Sequence, residues 1–178
     1  TTLPGSQQAW DIVAQDDGGL VVTWFVSGTE HKAARISPEG VLGAAEDYDR
    51  EYCVDLVQLR AFLRETQPEV AEALDVGQDG PTRRKFLARL QGEITKRGSI
   101  DVLRHGLRHG PHHLDHFYGT PSPGNAKAAE RYAANRFSVT RQLRYSRDET
   151  QRALDVGLFI NGLPVATFEL KNSLTKQT

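Results

Sequence analysis

The chain has 178 residues, 38% of them hydrophobic and 25% charged, with a net charge of −1. That is room for one sizeable domain, or for a domain with a smaller appendage. No run approaches the roughly 20 apolar residues of a membrane span, and the opening "TTLPGSQQAW" lacks the basic-then-apolar pattern of a signal peptide.

The single cysteine, Cys53, excludes an internal disulfide and fits a reducing cytosol, so a cytoplasmic protein is expected. Its expected role is that of a small buried apolar side chain. The near-zero net charge hides a division: residues 1–80 hold 5 Lys/Arg against 15 Asp/Glu, and residues 81–178 hold 17 against 8. A basic half suits a polyanion, because Lys and Arg release counterions from phosphates. Two solvated halves that attract one another are the plainer alternative. The absence of methionine and the end at "NSLTKQT" suggest a piece of a longer protein.

In chain order, "GGLVVTWFVSGTEHKAARIS" (18–37) reads as a short strand or hairpin between Gly-rich turns. "VDLVQLRAFLRETQ" (54–67) spaces Leu56, Leu59, Phe62 and Leu63 helically, with Pro68 at its end. "DGPTRRKFLARLQGEITKRG" (79–98) is the clearest helix: Asp79 as cap, Pro81 in the first turn, a stripe of Phe86, Leu87, Leu90 and Ile94, and Gly98 as stop. "IDVLRHGL" (100–107) reads as a strand, and Asn125 caps a helix in "AKAAERYAANRF" ending near Arg136. Strands are then expected in "RFSVTRQLRYS" (136–146), "ALDVGLFI" (153–160) and "LPVATFELK" (163–171). The last two are apolar on both faces, as central strands are. Asn161-Gly162 between them signals a hairpin. Trp10 and Trp24 are expected in core or interface.

Asp155, Glu169 and Lys171 are the charges inside those last two runs. A carboxylate buried in a sheet must be paired, protonated or bound to a metal. Asp155 and Glu169 are suited to a hard divalent cation such as Mg²⁺. Lys171, two residues beyond Glu169, points to the same face and is placed to orient a water and stabilise charge on a phosphate. A buried ion pair that steadies the sheet is the bland alternative. Register separates the two: a strict two-residue turn sets Asp155 opposite Phe168, on the wrong face. The metal reading needs a bulge, or a three-residue loop over 160–162 with Gly162 left-handed.

The Asp155-x13-Glu169-x-Lys171 spacing on a hairpin resembles the PD-(D/E)xK nuclease core, with Leu154 where the name has proline. "RGSIDVLRHGL", "NRFSVTRQLRYS" and "LDVGLFINGLPVATFELKN" closely resemble the N-terminal nuclease domain of type I restriction enzyme R subunits, the HsdR family, over roughly residues 55–178. The resemblance implies an α/β fold, a mixed sheet flanked by helices with a restriction-endonuclease-like core, over 54–178, after an acidic segment 1–53 of unassigned fold. It implies a Mg²⁺-dependent DNA endonuclease with Asp155 and Glu169 as metal ligands and Lys171 as catalytic lysine. The family's supporting Gln-x-x-x-Tyr helix lies past the end of this chain, so the core is expected to be truncated. An ATP-driven motor is also implied. Nothing here matches GxxxxGK followed by Ser or Thr, so it is expected beyond Thr178. Double-stranded DNA, with methyltransferase and specificity subunits, are the implied partners, and no membrane. A non-cleaving DNA- or subunit-binding module and a standalone nuclease of the same superfamily are the alternatives.

Arg136, Arg141, Arg144, Arg147 and Arg152 surround the motif, and Arg141, Arg144 and Arg152 are candidates for holding a DNA backbone. Gln142, at a strand position typical of the family, is expected near the site and in contact with DNA. "HGLRHGPHHLDHF" offers His105, His109, His112, His113 and His116, but it fits no closed zinc pattern and reads as a polar loop. Asn135 and Asn161 are expected to be cap and turn residues.

Overall fold

The computed structural model of the chain describes residues 10–14, 20–27, 30–36, 41–42, 45–145 and 153–169. The chain divides into two units, Thr1–Val41 and Leu42–Thr178. In the first, β1 (Trp10–Ala14), β2 (Leu20–Ser27) and β3 (Glu30–Ile36) form an antiparallel meander that pairs Trp10 with Trp24. The hairpin expected over 18–37 is thus its second and third strands.

The second unit is built around one helix-lined core. After β4 (Val41–Leu42), the 3-10 turn Ala45–Asp47 and the short β5 (Tyr48–Asp49) and β6 (Val54–Asp55) comes α1 (Leu56–Thr66). Asp55 caps α1, its carboxylate accepting from the Gln58 N–H at 3.1 Å. The predicted stripe faces inward, with Leu59, Phe62 and Leu63 fully buried. α2 (Pro68–Ala73) follows, then α3 (Pro81–Arg97). α3 buries Phe86, Leu87 and Leu90 on the expected face, and Ile94 packs against the same core.

Three local expectations are corrected here. Asp79 is not the cap of α3. Gly80 holds that position, and the Asp79 carboxylate binds Arg83 and Arg84 at 2.9 and 2.8 Å instead. Residues 100–107 are mostly helical rather than a strand: α4 spans Ser99–His105 and buries Val102 and Leu103. Gly98, at φ 84, ends α3 and starts α4. Adjacent apolar residues in so short a segment fit helix and strand equally, and packing beside α3 decides. The histidine stretch is likewise not a plain loop, for β7 (Leu107–His109) and β8 (His112–Leu114) make a hairpin of it.

α5 (Ala126–Ala133) has its expected cap, the Asn125 side-chain oxygen Oδ1 accepting from the Ala128 N–H. Three strands follow: β9 (Phe137–Arg144), β10 (Ala153–Ile160) and β11 (Leu163–Phe168). The sheet order is β11-β10-β9-β4. β10 pairs antiparallel with both neighbours, so these strands do not form the mixed sheet that was expected. β11 is an edge strand rather than a central one, and Pro164, which has no N–H to donate, suits an edge. Cys53 is half-buried at φ 58 rather than a core residue. Among the described residues no helix is long and apolar enough to cross a membrane.

Candidate functional site

The β10–β11 hairpin turns on Asn161 and Gly162, both left-handed at φ 51 and 83. Two such residues in sequence make the tight turn whose twist matches the flanking strands. Ile160 pairs with Leu163 and Phe159 with Pro164, so the loop has two residues, not three. Left alone, that register would set Asp155 opposite Phe168. It does not persist. The pairing shifts by one between Leu158 and Phe159, since Leu158 pairs with Ala166 and Val156 with Phe168. Val165 is the extra residue of this bulge. Continued by one position, the shifted register sets Asp155 opposite Glu169 and on its face. The bulge inside β11 does what the sequence required of the loop.

The other side of Asp155 is β9. Leu154 pairs with Leu143 and Val156 with Arg141, which leaves Gln142 opposite Asp155. Gln142 Nε2 donates to Asp155 Oδ1 at 3.2 Å. Its backbone is left-handed, at φ 50. Along β9 the burial alternates through Ser138 and Thr140, then skips Arg141 and Gln142 and resumes at Leu143. Asp155 is half-buried and Glu169 exposed, so the two carboxylates lie toward the open end of the sheet rather than in the deep core expected of them. Their oxygens and the amide oxygen of Gln142 are hard donors of the kind Mg²⁺ prefers. Among the described residues no three His, Cys, Asp or Glu side chains group closely enough to hold a metal by themselves. Lys171, Arg152 and Arg147 lie outside the described residues.

What holds the hairpin in place is buried and polar. Asn161 is fully buried: its Nδ2 donates to the His116 carbonyl at 2.8 Å and to Asn135 Oδ1 at 2.9 Å, and its Oδ1 accepts from the Arg136 N–H at 2.6 Å. Gly162 accepts from the Asp55 N–H at 2.9 Å. A Cβ there would lie 2.5 Å from the Asp55 carbonyl and 2.6 Å from Leu59 Cβ, so only glycine lets the turn seat against the start of α1. Ser138 Oγ, 83 positions from Asp55, donates to its Oδ2 at 2.9 Å. Burial raises the pKa of the Asp55 carboxyl, against the lowering effect of the Gln58 and Ser138 hydrogen bonds. Sequence reading marked Asn161 as a turn residue and overlooked Asp55 and Ser138. Asp55 directly before a helical stripe was the available signal.

The remaining candidates separate. Arg141 and Arg144 are exposed on β9, whereas Arg136 pairs with Glu65 at 2.7 Å. His105 pairs with Asp101 at 3.1 Å, and His109 meets Phe86 edge-on at 5.9 Å. His116 is fully buried, neither ring nitrogen has a hydrogen-bond partner among the described residues, and burial lowers its pKa to about 4. A cleft of about 430 Å³ beside α5 is lined by Tyr118, Thr120, Ser122, Asn125, Lys127 and Arg131. Arg131 lies over the Tyr118 ring at 5.4 Å.

No curated protein and no solved structure matches the chain. One protein family does. Residues 124–178, which hold α5, β9 and the whole β10–β11 hairpin, match the family described as type I restriction enzyme R protein N terminus.

Proposed function

We propose that the chain is the nuclease domain of a type I restriction enzyme R subunit and hydrolyses DNA phosphodiester bonds. The observation that carries the reading is the bulge at Val165. It spends one residue of β11 and shifts the register by one, and continuing that register one position past Val156 and Phe168 puts Asp155 and Glu169 opposite each other. Two carboxylates on one face of a strand pair supply hard oxygen ligands of the kind Mg²⁺ takes. When bound there, Mg²⁺ supplies a polarised water and charge neutralisation at the phosphate.

The chain's own residues have distinct tasks. Asp155 and Glu169 hold the ion. Lys171, two residues beyond Glu169 on the same run, orients the attacking water and offsets charge on the phosphate oxygens. Arg141, Arg144 and Arg152 contact the backbone of double-stranded DNA without reading sequence. Lys127 and Arg131, neither ion-paired with a described residue, line the cleft beside α5 and are further candidates for phosphate contact. ATP-driven translocation belongs to a motor elsewhere in the subunit, and methyltransferase and specificity subunits supply recognition. The site of action is the cytoplasm.

The test uses the full-length subunit assembled with its partner subunits, on plasmid DNA carrying the recognition site. Lys171→Ala is expected to lower Mg²⁺-dependent cleavage by about 10²–10³-fold, the scale of losing one charge-stabilising group, while ATP hydrolysis continues. Unchanged cleavage would show that the three charges only hold the sheet together.

A further inference from the structure

We infer that Gln142 is a positioning residue for Asp155: its left-handed backbone exists to bring the side-chain amide onto one carboxylate oxygen and so aim the other toward the metal. The inference rests on the nuclease reading above and deepens it.

Two independent observations meet at this residue. The first is backbone. Gln142 sits at φ 50 within β9, a left-handed conformation in which an L side chain is crowded by the following carbonyl and which is therefore strained. Among the described residues four non-glycine residues have positive φ; Cys53, Asp75 and Asn161 lie outside the helices and strands, and Gln142 lies inside a strand. The second is the contact that this conformation delivers, Nε2 of the exposed Gln142 to Oδ1 of the half-buried Asp155 at 3.2 Å. The bond to the carboxylate is what this conformation gains in return for its strain. Residues held in sparsely populated backbone conformations cluster at functional sites.

The amide also matches its task. A donor on Oδ1 fixes rotation of the carboxylate about its last torsion, which is otherwise broad. A glutamine remains neutral while doing so, where an Arg or Lys would compete with the cation for the same oxygen. The kink has a second effect: it lets Leu143 turn inward, where its Cδ2 comes within 2.8 Å of the position a Cβ on Gly157 would occupy. Packing of Leu143 is therefore the rival explanation, and the variants must separate the two.

Gln142→Gly and Gln142→Asn both do so. Glycine adopts the left-handed backbone freely and asparagine tolerates it, so the kink and Leu143 stay in place. Glycine has no amide, and asparagine is one methylene too short. Mn²⁺ binding to the assembled protein, followed by electron paramagnetic resonance without DNA, reads the effect directly. The expected result is affinity about tenfold weaker in both variants, a matching rise in the Mg²⁺ concentration for half-maximal cleavage, recovery of cleavage at high Mg²⁺, and thermal stability unchanged or raised in Gln142→Gly. Wild-type Mn²⁺ affinity in both variants, with Asp155→Asn unable to bind, would overturn the positioning role and leave the nuclease reading standing. No Mn²⁺ site that Asp155→Asn removes would overturn both.

Discussion

Asn161 donates from its side-chain nitrogen to the side-chain oxygen of Asn135 at 2.9 Å, joining the tip of one hairpin to the end of a helix 26 positions earlier. The buried Asn161 side chain satisfies three polar groups at once and takes the left-handed backbone that the turn demands. Asn161→Ala leaves the Arg136 N–H and the His116 carbonyl without partners and places an alanine at positive φ. A loss of about 3 kcal/mol is expected in denaturant unfolding. Asn161→Asp keeps the acceptor and loses both donations, so it should fall between alanine and wild type. Equal unfolding midpoints for all three would remove the network from the account of stability.

Gly162 and Gly124 form a natural control pair. Both have positive φ, 83 and 84, but a Cβ at Gly124 meets nothing within 4 Å, while one at Gly162 strikes the start of α1. Gly124→Ala is expected to cost about 1 kcal/mol, from backbone strain alone. Gly162→Ala should cost at least about 2 kcal/mol more. Similar melting temperatures for the two variants would mean that the turn is not seated on α1.

His116 sets an acid limit on stability. Its folded pKa, about 4, lies below the ordinary 6.5, so the unfolded chain takes up the proton first. The stability contribution is complete above pH 6.5 and is lost as pH falls toward 4, about 3 kcal/mol across the window. His116→Leu, of similar bulk, removes two unpartnered polar atoms and the titration together. Its unfolding free energy should vary less between pH 6.5 and 4.5 than that of wild type. An identical slope would assign the acid sensitivity to other groups.

Asp55 acts in the opposite sense. A carboxyl raised above its usual 3.8 stabilises most when protonated, and that contribution fades as pH rises through the folded pKa. Asp55→Asn keeps a good helix cap and carries no charge into the core. It should match or exceed wild-type stability at pH 7 and lose that advantage in acid. Strong destabilisation at pH 7 would show that the charge itself is needed beside Ser138.

Periodicity was enough to find the apolar faces of α1 and α3, because each stripe spans several turns. It failed over 100–107, where so short a segment, with Val102 and Leu103 as its buried helical residues, looks alike as helix or strand. The β10–β11 hairpin could be read from Asn161-Gly162 and its apolar flanks, but the bulge could not. Val165 is an ordinary β-branched residue in an ordinary strand, and the only hint was chemical: without an extra residue somewhere, Asp155 and Glu169 face apart. Gln142 was placed near the site as a DNA contact. Its bond to Asp155 depends on a backbone conformation that glutamine rarely takes, and no pattern of residue types announces that. Ser138 and Asp55 lie 83 positions apart, a separation over which sequence spacing carries no information.

The seat of the Asn161-Gly162 turn on the first helix also orders events during synthesis. Leu59, Phe62 and Leu63 leave the ribosome about 100 residues before the turn that covers the start of their helix. At roughly 5–20 residues per second, this surface waits about 5–20 seconds for its lid. Through that interval the Asp55 N–H has no carbonyl from Gly162 to bond, and the buried carboxylate has no serine. The hairpin that bears the proposed catalytic charges is thus the piece that completes the core, so a chain that has not finished this half of its fold cannot yet present a working site to DNA.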